Sequence, residues 1–189
     1  ICMGKSLFLT VIYAVCSLCY MAAQGLVNVK HYSVKDGMSQ NTVQGVLQDN
    51  EGYIWMATWN GLEKFDGYSF KNYKTYPTDK VKLQYNRLVN LQLGGNQMLV
   101  CQSYDRRVYL FDIRRECFED VFAYHPEVKL CTAASKIITL PNGMVWIVGT
   151  NGDLWRIDCF RYKDKGGLVY LPAHSDTERK RYVFTISLD

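Results

Sequence analysis

Proline and histidine are scarce in this chain, with four and three copies among 189 residues, and charge of one sign is nearly balanced by the other. So few prolines, with no low-complexity tract and 48% hydrophobic residues, exclude an extended disordered segment and describe a folded protein large enough for a real core. The 22 basic and 18 acidic side chains leave a net charge of +4 that is dispersed along the sequence, which argues against nucleic acid as a partner. The short run Glu178-Arg-Lys-Arg181 is the one basic cluster and reads as a solvated loop. The histidines show no metal-ligand spacing, and His174-Ser175-Asp176 cannot form a triad, because adjacent residues cannot orient one another in a chain of hydrogen bonds. Neither a phosphate-cradling glycine loop nor a nucleophile elbow occurs. The expectation is therefore no cofactor, no metal and no catalytic residue.

Cysteine is present in seven copies, of which Cys2, Cys16 and Cys19 fall in the N-terminal segment. Cys101, Cys117, Cys131 and Cys159 remain, with spacings of 16, 14 and 28 residues that match no metal-ligand pattern, and are expected as free, buried thiols. The N-terminal segment has the form of an export signal. Lys5 supplies a positive start, Ser6 to Ala23 is uncharged and mostly apolar, and Ala23-Gln24-Gly25 offers small residues for cleavage. Residues 1–25 are thus expected to be a signal-peptide helix, the alternative being an uncleaved membrane anchor of borderline length.

What the chain has in abundance is short strands. From Val43 to Asp66, apolar and β-branched runs too short for helices alternate with two turns, Asp49-Asn-Glu-Gly52 and Trp59-Asn60-Gly61. Asp66-Gly67-Tyr68 turns the chain again into Ser69 to Tyr73, completing a four-stranded meander. The pattern then recurs. Phe65-Asp66, Phe111-Asp112 and Ile157-Asp158 each end a strand-like run, separated by 46 residues both times. Such a period matches a propeller blade of about 40 to 50 residues. Gly52 and Gly143 each stand three positions before a tryptophan, Trp55 and Trp146, so both indoles are expected as equivalent aromatic wedges between blades.

The fold expected is all-β: an incomplete β-propeller, residues 26–189, with blades at about 43–73, 86–121 and 136–171. The strands of the second blade are read at Leu88–Leu93, Met98–Gln102, Val108–Asp112 and Cys117–Val121. Those of the third are read at Lys136–Leu140, Met144–Val148, Leu154–Asp158 and Leu168–Leu171. Residues 182–189 repeat the first strand of the first blade, Val183, Ile186 and Asp189 standing where Val43, Val46 and Asp49 stand, and open a fourth. Leu26 to Val34 is read as an outer strand. Since each blade hides its faces against its neighbours, the remaining blades of a longer chain are implied partners.

The stretch from Tyr32 to Tyr73 resembles the periplasmic sensor region of hybrid two-component regulators of gut Bacteroidetes. The likeness lies in Asp-Gly-Met-Ser-Gln-Asn-Thr-Val, in Asp49 through Gly67-Tyr68, and in Phe70-Lys-Asn-Tyr73, which look like that family's opening segment and first regulator-propeller repeat. The resemblance implies an extracytoplasmic sensor for breakdown products of complex carbohydrates. It also implies, beyond this chain, further propeller and β-domains, a membrane helix in the inner membrane, a histidine kinase, a receiver and a DNA-binding domain, with the complete receptor a homodimer. A secreted propeller lyase or glycosidase and a propeller interaction scaffold are the alternatives. The innermost strands, Val43–Gln48, Leu88–Leu93 and Lys136–Leu140, offer no acid or histidine to a lyase or glycosidase.

A ligand site, on this reading, belongs to the face where the loops between second and third strands gather. Trp59, Asn60, Tyr104 and Arg106 are the candidate ligand-binding residues, with Arg107 and Asn151 in the same loops. Aromatic faces stack on sugar rings while amides and guanidinium groups bond hydroxyls or acidic groups, so an oligosaccharide is the ligand such a site would take, the alternative being a solvated rim that binds none.

Overall fold

The structure, a computed structural model, describes residues 29–173 other than 96 and 132, together with Tyr13. Two compact units are distinguished, residues 1–32 and 33–189, and every strand belongs to the second. The signal helix expected at 1–25 lies outside the described residues except for Tyr13, and the strand expected at 182–189 lies outside them entirely.

The repeated sequence pattern folds into three antiparallel four-stranded meanders. Sheet 1 runs β1 (Val43–Gln48), β2 (Ile54–Thr58), β3 (Gly61–Phe65), β4 (Phe70–Tyr73), with neighbours in sequence paired. Sheet 2 follows as β5 (Leu88–Leu93), β6 (Met98–Ser103), β7 (Val108–Asp112), β8 (Cys117–Glu119). Sheet 3 is β9 (Ala134–Thr139), β10 (Met144–Gly149), β11 (Leu154–Asp158), β12 (Leu168–Leu171). These are successive propeller-type blades.

The 46-residue interval has a physical origin in one recurring turn. Asp66 Oδ1 accepts from the amides of Tyr68 and Ser69, at 2.8 and 2.7 Å. Asp112 Oδ1 accepts from Arg114 and Arg115, both at 2.9 Å, and Asp158 Oδ1 from Phe160 at 2.9 Å. In each blade the aspartate closes the third strand by holding the amides that begin the reversal. Asp49 does the same for the first turn, accepting from Glu51 and Tyr53, and its second oxygen takes the Trp55 indole N–H at 2.7 Å. At Trp59-Asn60 the chain turns in two residues and Gly61 opens β3 at φ +107; a Cβ there would stand 2.3 Å from the Tyr73 carbonyl oxygen.

One further repeat was invisible in the sequence. In all three sheets the innermost strand carries an extra residue near its start, opposite the end of the second strand: Gln44, Val89 and Ser135. A bulge of this kind sharpens the local twist and re-aims side chains beside it.

Sheet 2 is buried on both faces. Leu99, Cys101, Tyr109 and Phe111 pack with Trp55, Ala57, Leu62 and Tyr73 of sheet 1. Val100, Val108 and Leu110 pack with Ile137, Val145, Ile147, Trp155 and Ile157 of sheet 3. Phe111 is fully enclosed, its ring 5.4 Å from Trp55, 5.0 Å from Tyr73 and 5.0 Å from Phe118. The alternation of side chains along β6 and β7 thus feeds two interfaces at once.

Two expectations need correction. The described part of the run 26–34 holds no strand: residues 29–33 are irregular and Val34–Asp36 is a 3-10 turn. Ser33 caps that turn and Asp36 returns a bond to the Ser33 amide, a local capping box that competes with extension. Trp146 occupies the register position of Trp55, opposite Arg156 as Trp55 is opposite Lys64, on the face of sheet 3 turned away from sheet 2; the residues expected to open the next blade on that side lie outside the described ones. Trp155 of sheet 3 is enclosed, and its indole N–H donates to the Lys129 carbonyl at 2.7 Å. The last strand of sheet 2 ends at Glu119, because Asp120 caps a 3-10 turn over Val121–Tyr124. Of the four cysteines, Cys101, Cys131 and Cys159 are buried and Cys117 is half-buried, none of them in a disulfide. Burial alone accounts for the rise of the Cys101 thiol, and it pushes Cys159 up to about 11.

Candidate ligand-binding rim

The hairpins β2–β3, β6–β7 and β10–β11 lie at the same end of their sheets as the starts of β1, β5 and β9. One backbone bond ties each pair. Trp59 N–H donates to the Thr42 carbonyl at 3.3 Å, Tyr104 to Arg87 at 2.8 Å and Thr150 to Ala133 at 3.0 Å. Trp59, Tyr104 and Thr150 are therefore equivalent, as are Thr42, Arg87 and Ala133. This bond places the residue before each innermost strand beside the first residue of the rim loop.

In sheet 2 that geometry puts a cation between two blades. Arg87 Cζ lies over the Trp59 ring at 3.5 Å from its centroid and over the Tyr104 ring at 4.3 Å. Trp59 and Tyr104 remain 41% and 57% exposed, so each ring is held on one side and open on the other. Cation–π attraction at such distances is worth about 0.5–2 kcal/mol per ring. Two of the four expected residues are thus brought together by an arginine that was not among the expected site residues. Arg87 stands 45 residues after Thr42, a spacing that marks its end of the blade and not the loop it faces.

Arg106 is placed beside this cluster by an unusual backbone. Its φ is +65, its N–H donates to the Ser103 carbonyl at 2.8 Å, and its carbonyl accepts from Ala134 at 2.9 Å. The exposed Arg106 side chain lines a depression of about 570 Å³ with Val89, Gln102, Tyr104, Ala134 and Ser135, between the bulges of sheets 2 and 3. Gln102 Nε2 donates to the Ala134 carbonyl at 2.9 Å and closes its floor.

Asn60 has a different role. Its N–H donates to Thr58 Oγ1 at 3.1 Å and its carbonyl accepts from Asn72 Nδ2 at 2.9 Å, so its backbone braces the hairpin that carries Trp59. Arg107 is paired with Asp105 at 3.4 Å, and Asn151 bonds Asp153 at 2.7 Å, which ties both to their own loops.

The strongly paired acids lie elsewhere. Glu116 of the β7–β8 turn accepts from Tyr73 Oη at 2.6 Å and Lys71 Nζ at 2.5 Å, joining sheet 2 to sheet 1 at their outer edges. The Lys71 bond, then the Tyr73 bond, hold its carboxyl below the ordinary value. Glu119 meets Arg115, Lys163 at 3.3 Å and Tyr124 at 2.6 Å. Burial pushes Glu119 up, but the Tyr124 bond and the two cations outweigh it and leave it low. Asp153 is held far below its usual value by the Ala173 amide and by Lys129. These groups are satisfied cross-braces rather than a poised acid and base. Among the described residues no cluster of histidine, cysteine, aspartate or glutamate could hold a metal.

No family model matches the chain. A curated protein of Formosa agariphila named histidine kinase P4 is 41% identical over 54 residues, which are 29% of this chain and 4% of that protein. The extracellular domain of a hybrid two-component system from B. thetaiotaomicron superimposes with a TM-score of 0.60 at 19% identity, covering 78% of this chain and 20% of that one. A second such domain from the same organism gives 0.50 at 22% identity, with 73% and 16% covered. The chain spans a small part of each relative. The two structures share its fold.

Proposed function

We propose that this chain is part of the extracytoplasmic sensor region of a two-component receptor and that its rim recognises a saccharide without transforming it. The 54-residue match to a protein named histidine kinase carries the first half, joined to a shared fold with extracellular domains of such systems. The aromatic and cationic cluster of Trp59, Arg87 and Tyr104 supports the second. Open aromatic faces accept the apolar face of a sugar ring. In the complete receptor this region is periplasmic, the inner membrane anchors it, two copies associate, and the other blades complete the propeller.

Signalling then follows from differential affinity. A saccharide bound more tightly by one arrangement of the sensor shifts the receptor toward it, and only that difference can drive the kinase. The test is a saccharide panel titrated against the complete ectodomain, with phosphorylation of the full receptor as the second readout. Trp59→Ala in a correctly folded receptor is expected to weaken both. Unchanged affinity removes the rim from the site. Turnover of a glycan by purified protein that is abolished by mutating one acid overturns the sensor reading.

A further inference from the structure

We infer that Arg87 is an anion-binding group and that the rim selects saccharides bearing an oxyanion, a carboxylate or sulfate on a sugar ring. The inference deepens the saccharide reading above and rests on it. Its basis is what the two rings leave unused. A guanidinium carries five N–H donors in its own plane, and cation–π contact occupies only its faces. Arg87 makes no ion pair among the described residues, and its buried Nε has no hydrogen-bond partner. The other engaged arginines behave differently. Arg115 reaches Asp112 and Glu119, Arg107 reaches Asp105, and Arg161 reaches Asp164.

A half-buried cation with no counter-ion is costly to hold, and an incoming oxyanion offsets that cost. The two rings also fix the fork before the ligand arrives, which removes most of the ordering entropy a free arginine would lose. Trp59 and Tyr104 flank the group with exposed faces on which the sugar ring itself can lie. Arg106, across Tyr104, supplies a second positive charge on the wall of the adjoining depression. Lysine would serve poorly in this place, because it has neither the flat face for the rings nor the fork for the anion.

The complete ectodomain is titrated with three galactose-based probes: an oligogalacturonate, a κ-carrageenan oligosaccharide and a neutral galacto-oligosaccharide. At least one acidic probe is expected to bind about tenfold or more tightly than the neutral one, by a margin that shrinks as salt is raised. The two acidic probes separate carboxylate from sulfate. Arg87→Gln is expected to bring acidic binding down to the neutral level, and Arg87→Lys to recover only part of it. Neutral and acidic probes binding alike, with Trp59→Ala sensitivity but no response to Arg87→Gln, overturns the inference and leaves the saccharide reading intact. Failure of all three probes to bind removes both. If Arg87→Gln does not fold, the salt dependence of the unaltered protein decides: a preference for acidic probes that vanishes at high salt supports the inference, and no preference at low salt overturns it.

Discussion

Sheets 1 and 2 have the same strand order and the same turns, yet they solve different packing problems. Sheet 2 is enclosed on both faces, so β6 and β7 read as nearly continuous hydrophobic runs, from Met98 to Cys101 and from Val108 to Phe111. Sheet 1 packs one face on sheet 2. Its other face carries Met56, Thr58 and the fully buried Glu63, beneath the segment containing Met38 and Ser39. At the repeat position of Glu63, sheet 2 has Tyr109 and sheet 3 has Trp155, both facing the preceding blade. There each aromatic residue packs on the preceding sheet. In sheet 1 a carboxylate stands at that position, taking the Ser39 amide at 2.9 Å and Asn72 Nδ2 at 3.1 Å. The comparison teaches that a blade keeps its backbone while its motif residues change with what covers each face.

The largest effect is expected at the doubly enclosed sheet. Phe111→Ala empties a site where three rings meet and should cost about 3–5 kcal/mol in denaturant unfolding. A loss below about 1 kcal/mol would mean that the interface between sheets 1 and 2 is far softer than its packing implies.

Next comes the tryptophan enclosed between sheets 1 and 2. Trp55→Phe removes the bond to Asp49 and leaves a void, for a loss of about 1–3 kcal/mol in denaturant unfolding. A loss indistinguishable from zero would mean that the indole neither braces the first turn nor fills the interface.

Acid should act on the outer edges, where charges join the sheets. Glu116, Glu119, Asp112 and Asp153 are all held below their ordinary values when folded. The folded protein therefore binds fewer protons than the unfolded chain in mild acid. The resulting stability is fully present above about pH 4 to 5 and is lost as pH falls through the depressed values. Denaturant midpoints measured from pH 7 down to pH 3 should drop, and Glu116→Gln should lower the midpoint at pH 7 while flattening the fall. A midpoint that rises in acid contradicts the pairing.

The smallest effect on stability is expected at the rim. Trp59 is open on one side, so Trp59→Ala should lower the unfolding free energy by no more than about 1 kcal/mol, mostly through the lost Arg87 contact. A large loss would make the cluster a structural clasp and weaken its assignment as a site.

Much of this molecule could be read from spacing. Short apolar runs, Asx turns and positive-φ glycines are local chemistry, and local chemistry repeats whenever the blade repeats. Hence the strands of all three sheets and the turn role of Asp66, Asp112 and Asp158 were legible, and so was the end of the blades at which Trp59 and Tyr104 stand. The bulges at Gln44, Val89 and Ser135 were not, because an extra residue changes register between two strands and leaves no mark on either one alone. Arg87 escaped for a similar reason. It sits at the end of a polar connection, and only the backbone bond from Tyr104 shows which loop it faces.

The sequence by itself determined the strands, the turns and the period, since each depends on residues within a few positions of one another. Tertiary structure alone decided which side chains would be enclosed between sheets 1 and 2, which carboxylates would be paired across sheets, and which cation would lie against two aromatic rings. Those outcomes depend on residues distant along the chain, brought together when one blade lies on the next. That is why Phe111 is enclosed by rings of two sheets and Arg87 stands between Trp59 and Tyr104, its Nε without a hydrogen-bond partner among the described residues.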